Sequence, residues 1–474
     1  MDPSQPKPPS YEALAAENAL LRQQVAELTE KLAAALAENE RLRRSGKRQA
    51  TPFSKEKRAA QPKRPGRRRG QGPFTRRLAP PPESYTRQVA VPVTETACPE
   101  CAGELVPAGV ETVTITDLPA PPPLEVTAYH LETCCCAACG RRVCGTHPEV
   151  PPDQRGATAH RIGPRAWALA HWLHYRMGLP VRKLPAVLGT VAGFAITQGA
   201  LTQDALRRTR GRVGEAYQAL RQELAQEPAV GTDDTGWKVG GVTAFLMGFF
   251  SRLTSVFQIR RQHRNDEVRE VIPGDYAGTL GTDRGRSYDA RALAGVKQQK
   301  CLGHIQRSLT EALEKPALGE RLVGRGRHFC RRLKQLLREA TALWEAYHTG
   351  TAEAFAAERE RLLAAVTEHL RERPIRGEAN RRLLSELGWQ HRQGHLLRFL
   401  DEPDTVEPTN NRSERGLRPA VIARKVSHCS KTWEGAHAHA AFTSLFCTLG
   451  QRGVPSVLEA AVEVFRTGRL PGRP

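Results

Sequence analysis

Apolar side chains near the start of the chain recur every seven residues. Tyr11, Asn18, Val25, Leu32 and Asn39 share one heptad position, and Leu14, Leu21, Leu28, Ala35 and Leu42 share another. A strict seven-residue repeat keeps one seam facing a partner helix, so residues 11–44 predict a coiled coil. Asn18 and Asn39 are costly in that seam unless each meets its own copy, which favours a parallel, in-register dimer. The preceding stretch 1–10, MDPSQPKPPS, is Pro-rich and predicts disorder. The heptads end in a basic run. Residues 41–78 hold fifteen basic residues and one acidic residue, Glu56. Such a run repels itself and buries no core, so 45–78 read as a flexible basic arm.

Other periods follow. In 79–150, alternating Val, Thr and Ile in ESYTRQVAVPV and ETVTITDLP predict short strands, with PAPPP at 119–123 as a spacer. Residues 151–228 take helical spacing: PRAWALAHWLHYRM, a Gly-Leu-Pro break, KLPAVLGTV and TQGALTQDALRRTRGRV. This suits either a helix-turn-helix-like DNA-binding unit or ordinary helix packing. Residues 229–315 alternate. AVGTDDTGWKV, TAFLMGFF and TSVFQIR predict three successive strands, NDEVREVI a helix, TLGTD a fourth strand, and KQQKCLGHIQRSLTEALE a further helix. Residues 316–400 are helical and charged, with Trp344 and Trp389, and 401–474 return to helices. The expected architecture is multidomain: an N-terminal coiled coil, a small β module, then an α/β core with a mainly helical insertion.

Charge and cysteine usage add partners. Lys and Arg number 71 against 50 Asp and Glu, a net charge of +21, which points to a polyanion. Within the arm, RPGRRRG places Arg64, Arg67, Arg68 and Arg69 where they suit a phosphate backbone or a minor groove. No apolar run is long enough to span a bilayer, and no secretory signal is read at the N-terminus. Seven of the eleven cysteines lie between Cys98 and Cys144, which argues for metal ligation in a reducing compartment rather than disulfides. Cys98-Pro-Glu-Cys101 and Cys136-Ala-Ala-Cys139 are two C-x2-C pairs able to place thiolates on a structural Zn²⁺. Cys134, Cys135, Cys144 and His147 are further candidate ligands.

Three distant carboxylates carry the candidate chemistry: Asp233 in VGTDDTGW, Asp283 in LGTDRGRSYD, and Glu414 in TNNRSERGLRP. If the strands of Asp233 and Asp283 are neighbours, both side chains emerge at one edge. Asn410, Glu414 and Arg418 fall four apart on a helix expected to begin near Thr409 and to be interrupted at Pro419. Two aspartates and a glutamate can hold a pair of divalent metals, the usual device for cutting phosphodiesters. Cys301 and His304 lie three apart on a helix, suited to packing, positioning or catalytic help.

TDDTGW, GTDRGRSYD followed by KCLGHIQRSL, and PTNNRSERGLRP with Arg424-Lys425 together resemble the insertion-sequence-66 family of bacterial transposases. The resemblance runs from about residue 11 to 460, because that family also has a leucine zipper, a basic stretch and a cysteine module. It implies a DDE transposase with an RNase H-like core. Asp233, Asp283 and Glu414 would be the catalytic ligands of two Mg²⁺, supported by Asn410, Asn411, Arg415, Arg418 and His304. Arg424 and Lys425 join the arginines of the arm as DNA contacts. The family commonly has Asp-Glu-Thr where this chain has Asp233-Asp234-Thr235; aligning the first Asp and the Thr selects Asp233 over Asp234. Implied partners are double-stranded DNA, as terminal repeats and target, and a second copy of the chain, in a cytoplasmic, nucleoid-associated setting. The competing readings are a non-catalytic zipper and zinc DNA-binding regulator, and an RNase H-like nuclease without strand transfer.

Overall fold

The computed structural model describes residues 19–29, 79–116, 124–147, 150, 162–314, 324–375, 377–427 and 429–473. The chain divides into two units, residues 1–118 and 119–474. In the first, residues 19–29 are helical. Leu21, Val25 and Leu28 on the heptad seam are 50, 62 and 65 % exposed. The rest of the expected coiled coil lies outside the described residues, as does the arm with Arg64, Arg67, Arg68 and Arg69. No strand forms in 79–116, where a short 3-10 turn at Pro82–Ser84 is the one regular element. This corrects the strands expected there. Alternation marks which side chains would share a face, but a strand needs a hydrogen-bonded neighbour. Val89, Val91, Val93 and Ile115 stay exposed instead.

The second unit opens with a two-stranded ribbon. β1 (Thr133–Cys135) and β2 (Arg142–Cys144) are antiparallel, with Cys135 opposite Arg142. Four helices follow: α1 (Pro164–His171, continued by a π turn to Arg176), α2 (Leu184–Ala192), α3 (Gln198–Arg210) and α4 (Arg212–Leu224). The core sheet consists of β3 (Ala229–Val239), β4 (Val242–Phe250), β5 (Ser255–Arg260), β6 (Thr279–Thr282) and β7 (Lys297–Lys300), with α5 (Asn265–Arg269) between β5 and β6. Beyond it come α6 (Leu302–Glu314), α7 (Gly324–Thr349), α8 (Phe355–His369), α9 (Glu378–Arg392), α10 (Asn411–Ser427), α11 (Trp433–Gln451) and α12 (Val457–Thr467). Among the described residues, no helix is long and apolar enough to cross a membrane.

The sheet order is β5-β4-β3-β6-β7. β3 pairs antiparallel with β4, and β4 with β5, whereas β6 runs parallel to both β3 and β7. β4 and β5 are apolar on both faces because helices cover both. On one face, Val230, Met247 and Phe249 pack with Leu220 and Leu224 of α4, Val268 of α5, and Tyr288. On the other, Trp237, Leu246 and Phe257 pack with Leu417 and Ala420 of α10 and Ala436 and Ala440 of α11. Each such large apolar side chain contributes about 1.5–3 kcal/mol by leaving water. β7 corrects a second expectation. Lys297–Lys300 reads as helical and polar, yet it is a strand, and the helix starts at Leu302. Gln298, Gln299 and Lys300 are buried, and each makes a polar contact. Gln298 donates to the Tyr288 carbonyl at 2.7 Å, Gln299 to that of Leu396 at 3.0 Å, and Lys300 meets Asp289 at 2.8 Å.

Helices α1–α3 share a core with α11 and α12, joining Trp167, Leu188 and Leu201 to Phe442, Phe446 and Phe465. Inside it, His171 and Arg208 hold Asp204 at 2.8 and 2.6 Å. Burial alone would raise the Asp204 pKa, but these two partners outweigh it and hold it at about 2. Helices α6–α9 enclose another core around Leu309, Leu333, Leu337, Val366 and Leu387.

Candidate active site

The central strand β3 carries Gly-Thr-Asp-Asp-Thr-Gly between apolar ends. Side chains alternate along a strand, so Gly231, Asp233, Thr235 and Trp237 share one face, and Val230, Thr232 and Asp234 the other. Packing identifies the faces. Trp237 lies with α10, and Val230 with α4 and Tyr288. Asp233 therefore stands on the face covered by α10, the helix of Glu414. Asp234 turns the opposite way and is engaged by His263, whose Nδ1 is 3.1 Å from its Oδ1. His263 Nε2 in turn lies 3.2 Å from the Tyr288 hydroxyl. Burial disfavours a charged His263 ring, but the hydrogen bond and charge of Asp234 outweigh it and raise its pKa. The sequence names neither His263 nor Tyr288; the signal available was only a lone His after a strand.

Asp283 follows β6, the parallel neighbour of β3. Gly231 pairs with Gly281 at the end of this ladder, and Asp283, two residues on, is near enough for its charge to act on Asp233. The Gly285 N–H donates to Asp283 Oδ1 at 2.7 Å and fixes that carboxylate at the strand end.

Glu414 reaches the site through a buried tie. Asn410 sits just before α10 and donates from its side-chain amide to the Thr232 carbonyl of β3 at 2.6 Å. Its N–H donates to the Cys301 sulfur at 3.2 Å, and the Cys301 N–H donates to the Thr282 carbonyl at 2.8 Å. One residue, Cys301, thus ties the end of β6 to the start of α10 through its N–H and its sulfur. Gly231 lets α10 approach: a Cβ there would stand 2.4 Å from Ser413 Oγ and 3.0 Å from Asn410 Oδ1. Asn410 is buried just before the helix, whereas Glu414 and Arg418, four residues apart within α10, are both exposed; only Asn410 departs from the shared face that the spacing implied. Pro419 does not interrupt α10, which continues to Ser427. His304 Nε2 lies 3.9 Å from Glu414 Oε1, and the hydrogen bond to Cys301 raises the His304 pKa. Asn411, Arg415, Arg418 and Lys425 are exposed on α10. Arg424 is instead occupied, donating to the Thr235 hydroxyl at 3.1 Å and to the Gly236 carbonyl.

Burial raises the Asp233 pKa to about 6, and the charges of Asp234, Asp283 and Glu414 add to the rise. Among the described residues, no three His, Cys, Asp or Glu side chains converge closely enough to hold one metal ion. What fits a cation is the charge: Asp283 and Glu414 lie near enough to Asp233 for their charges to act on it.

A scan of protein-family models matches residues 160–438, more than half of the chain, to the transposase IS66 family. The chain belongs to that family. A comparison with curated proteins returns no match. The match spans all three carboxylates of this transposase, together with Asn410, His304 and Arg424, and it makes DNA its partner.

The two cysteine pairs form the same local turn, each within its own unit. The Cys98 N–H donates to the Gly103 carbonyl at 2.9 Å and that of Ala102 to the Cys98 carbonyl at 2.8 Å. The Cys136 N–H donates to the Arg141 carbonyl and that of Gly140 to the Cys136 carbonyl, both at 2.9 Å. Backbone N–H groups of Cys101 and Glu100 lower the Cys98 pKa, and those of Cys139 and Ala138 lower that of Cys136. Both turns therefore favour thiolates, the form that binds metal. Cys134 and Cys135 are exposed and Cys144 half-buried.

Proposed function

We propose that this transposase cuts the ends of its element and joins them to target DNA, with Asp233, Asp283 and Glu414 as the catalytic carboxylates. The observation that carries the reading is that Asp283 and Glu414 lie near enough to the part-buried Asp233 of the central strand for their charges to add to the rise that burial gives its pKa. Such a cluster would attract cations, and its place on the neighbouring inner strands of a mixed sheet suits an RNase H-like core. The three carboxylates would hold two Mg²⁺, which supply activation of the attacking oxygen and neutralisation of the leaving oxygen. Asn410 sets the distance between β3 and α10, and so the reach of Glu414. Asp234, held by His263 on the opposite face, is a neighbour that tunes Asp233 rather than a ligand. His304, 3.9 Å from Glu414, would place a positive charge beside it when protonated. The thiolate-favouring turns at Cys98–Cys101 and at Cys136–Cys139 each suit structural Zn²⁺ ligation, and the exposed heptad face at Leu21, Val25 and Leu28 supports dimerisation.

The test is nicking of a DNA duplex made from the sequence that flanks the coding region. Wild type is expected to nick it only with Mg²⁺ or Mn²⁺, and Asp283→Asn and Glu414→Gln to lose at least a hundredfold in rate. Equal nicking by these variants would refute the assignment.

A further inference from the structure

Helix α9 carries an exposed stripe. Arg381, Arg382, Ser385, Trp389 and Arg392 fall on one side of the helix by its 3.6-residue period, and all are open to solvent. Facing it is the loop that begins at Asp283, with Arg284 and Arg286. The two enclose a groove of about 610 Å³, lined by Arg284 and Arg286 on one wall and Arg381, Arg382 and Ser385 on the other. The acids within the groove are already matched: Glu386 to Arg284 at 3.1 Å, Asp289 to Lys300 at 2.8 Å, and Glu378 to Arg382. Arg286 and Arg381 have no carboxylate partner among the described residues, so the groove keeps a surplus of two guanidinium groups. Trp389, 37 % exposed, extends the same stripe. Its counterpart Trp344 is tied inward, donating its indole N–H to the Pro403 carbonyl at 3.1 Å.

Unpaired guanidinium groups in a groove starting one residue from Asp283, with an open indole two turns farther along the same helix stripe, match what a nucleic-acid strand requires: charge for its phosphates and a flat apolar face for a base. We infer that this groove holds a DNA strand next to the bond being cut, with Arg286 and Arg381 on its phosphates and Trp389 stacked on an unpaired base. The inference rests on the transposase reading above and assigns it a strand path.

The experiment measures binding of the full chain by fluorescence anisotropy over a range of salt concentrations, with Ca²⁺ in place of Mg²⁺. The probes are a blunt duplex and the same duplex with a single-stranded 3′ tail. The double variant Arg286→Ala/Arg381→Ala is expected to bind both probes more weakly and to flatten the dependence of log affinity on log salt by about two, one per phosphate. Trp389→Ala is expected to lose about tenfold on the tailed probe and little on the blunt one, with Trp389→Phe restoring most of it. A double variant with wild-type affinity and salt slope overturns the phosphate path. Equal losses of Trp389→Ala on both probes overturn the stacking. Wild type that binds in the expected pattern but never cuts DNA with Mg²⁺ leaves the groove standing and refutes the transposase chemistry instead.

Discussion

Asp233→Asn in metal-free protein separates the cost of the carboxylate cluster from its use. Asp233 ionises near 3.8 in an unfolded chain and at about 6 in the fold. Between those values the folded state binds more protons than the unfolded one. Stability therefore falls as pH rises through this window, and the loss is complete above the folded value. The difference of roughly 2 pKa units corresponds to about 3 kcal/mol. Asp233 keeps some contact with water, so screening reduces this to about 1–2 kcal/mol. Asparagine removes the charge and keeps an oxygen to accept the Asp234 N–H, which now donates to Asp233 Oδ1 at 2.9 Å. Calorimetry in EDTA at pH 8 is expected to show Asp233→Asn melting higher than wild type, by about 2 °C per kcal/mol. The gap should close as pH falls toward 4. Adding Mg²⁺ should raise the wild-type melting temperature and leave the variant unchanged. A variant less stable than wild type at pH 8, or one that Mg²⁺ stabilises equally, would refute the reasoning.

Four further outcomes are expected. Asn410→Ala leaves the buried Thr232 carbonyl without its donor and should cost about 1–3 kcal/mol by urea unfolding, with nicking reduced more than DNA binding. Gly231→Ala drives a Cβ into Ser413 and Asn410 and should cost about 1–3 kcal/mol in the same assay, with activity lost as α10 is pushed away. Cys136→Ser should lower zinc content measured by atomic absorption, while Cys447→Ser, in a buried site far along the chain, should not. Deletion of 11–44 should convert a dimer to a monomer in sedimentation; a persisting dimer would remove the zipper from the account.

The parts of the site legible in the sequence are those set by local pattern. Asp283 ends a short apolar strand, Glu414 sits in a run with helical spacing, and the flanking motifs place both in one family. What the sequence leaves open is settled by contacts between distant segments. Asp233 and Asp234 differ only in which face of β3 they occupy, and that depends on packing against Leu417 and Tyr288. Asn410 looks like a helix residue beside Glu414, but its partner is the carbonyl of Thr232, far back in the chain. Lys297–Lys300 reads as helix because its side chains are polar; it is a strand buried from Gln298 on, where each side chain finds a polar contact. The Val-rich stretches before Cys98 fail in the opposite way, having strand composition with no neighbouring strand. His263 belongs to the Asp234 side only because β5 ends next to Tyr288.

Strand joining is the step that distinguishes a transposase from a simple nuclease. A duplex ending in the flanking DNA, already cut to expose its 3′-hydroxyl, is incubated with supercoiled plasmid, Mg²⁺ and full-length protein, and joined products are resolved on a gel. Wild type is expected to give joined plasmid, and Asp233→Asn, Asp283→Asn and Glu414→Gln none, while each still binds the duplex. Joining that survives loss of any of these three carboxylates, or wild-type hydrolysis of the duplex with no joined product, would contradict the account.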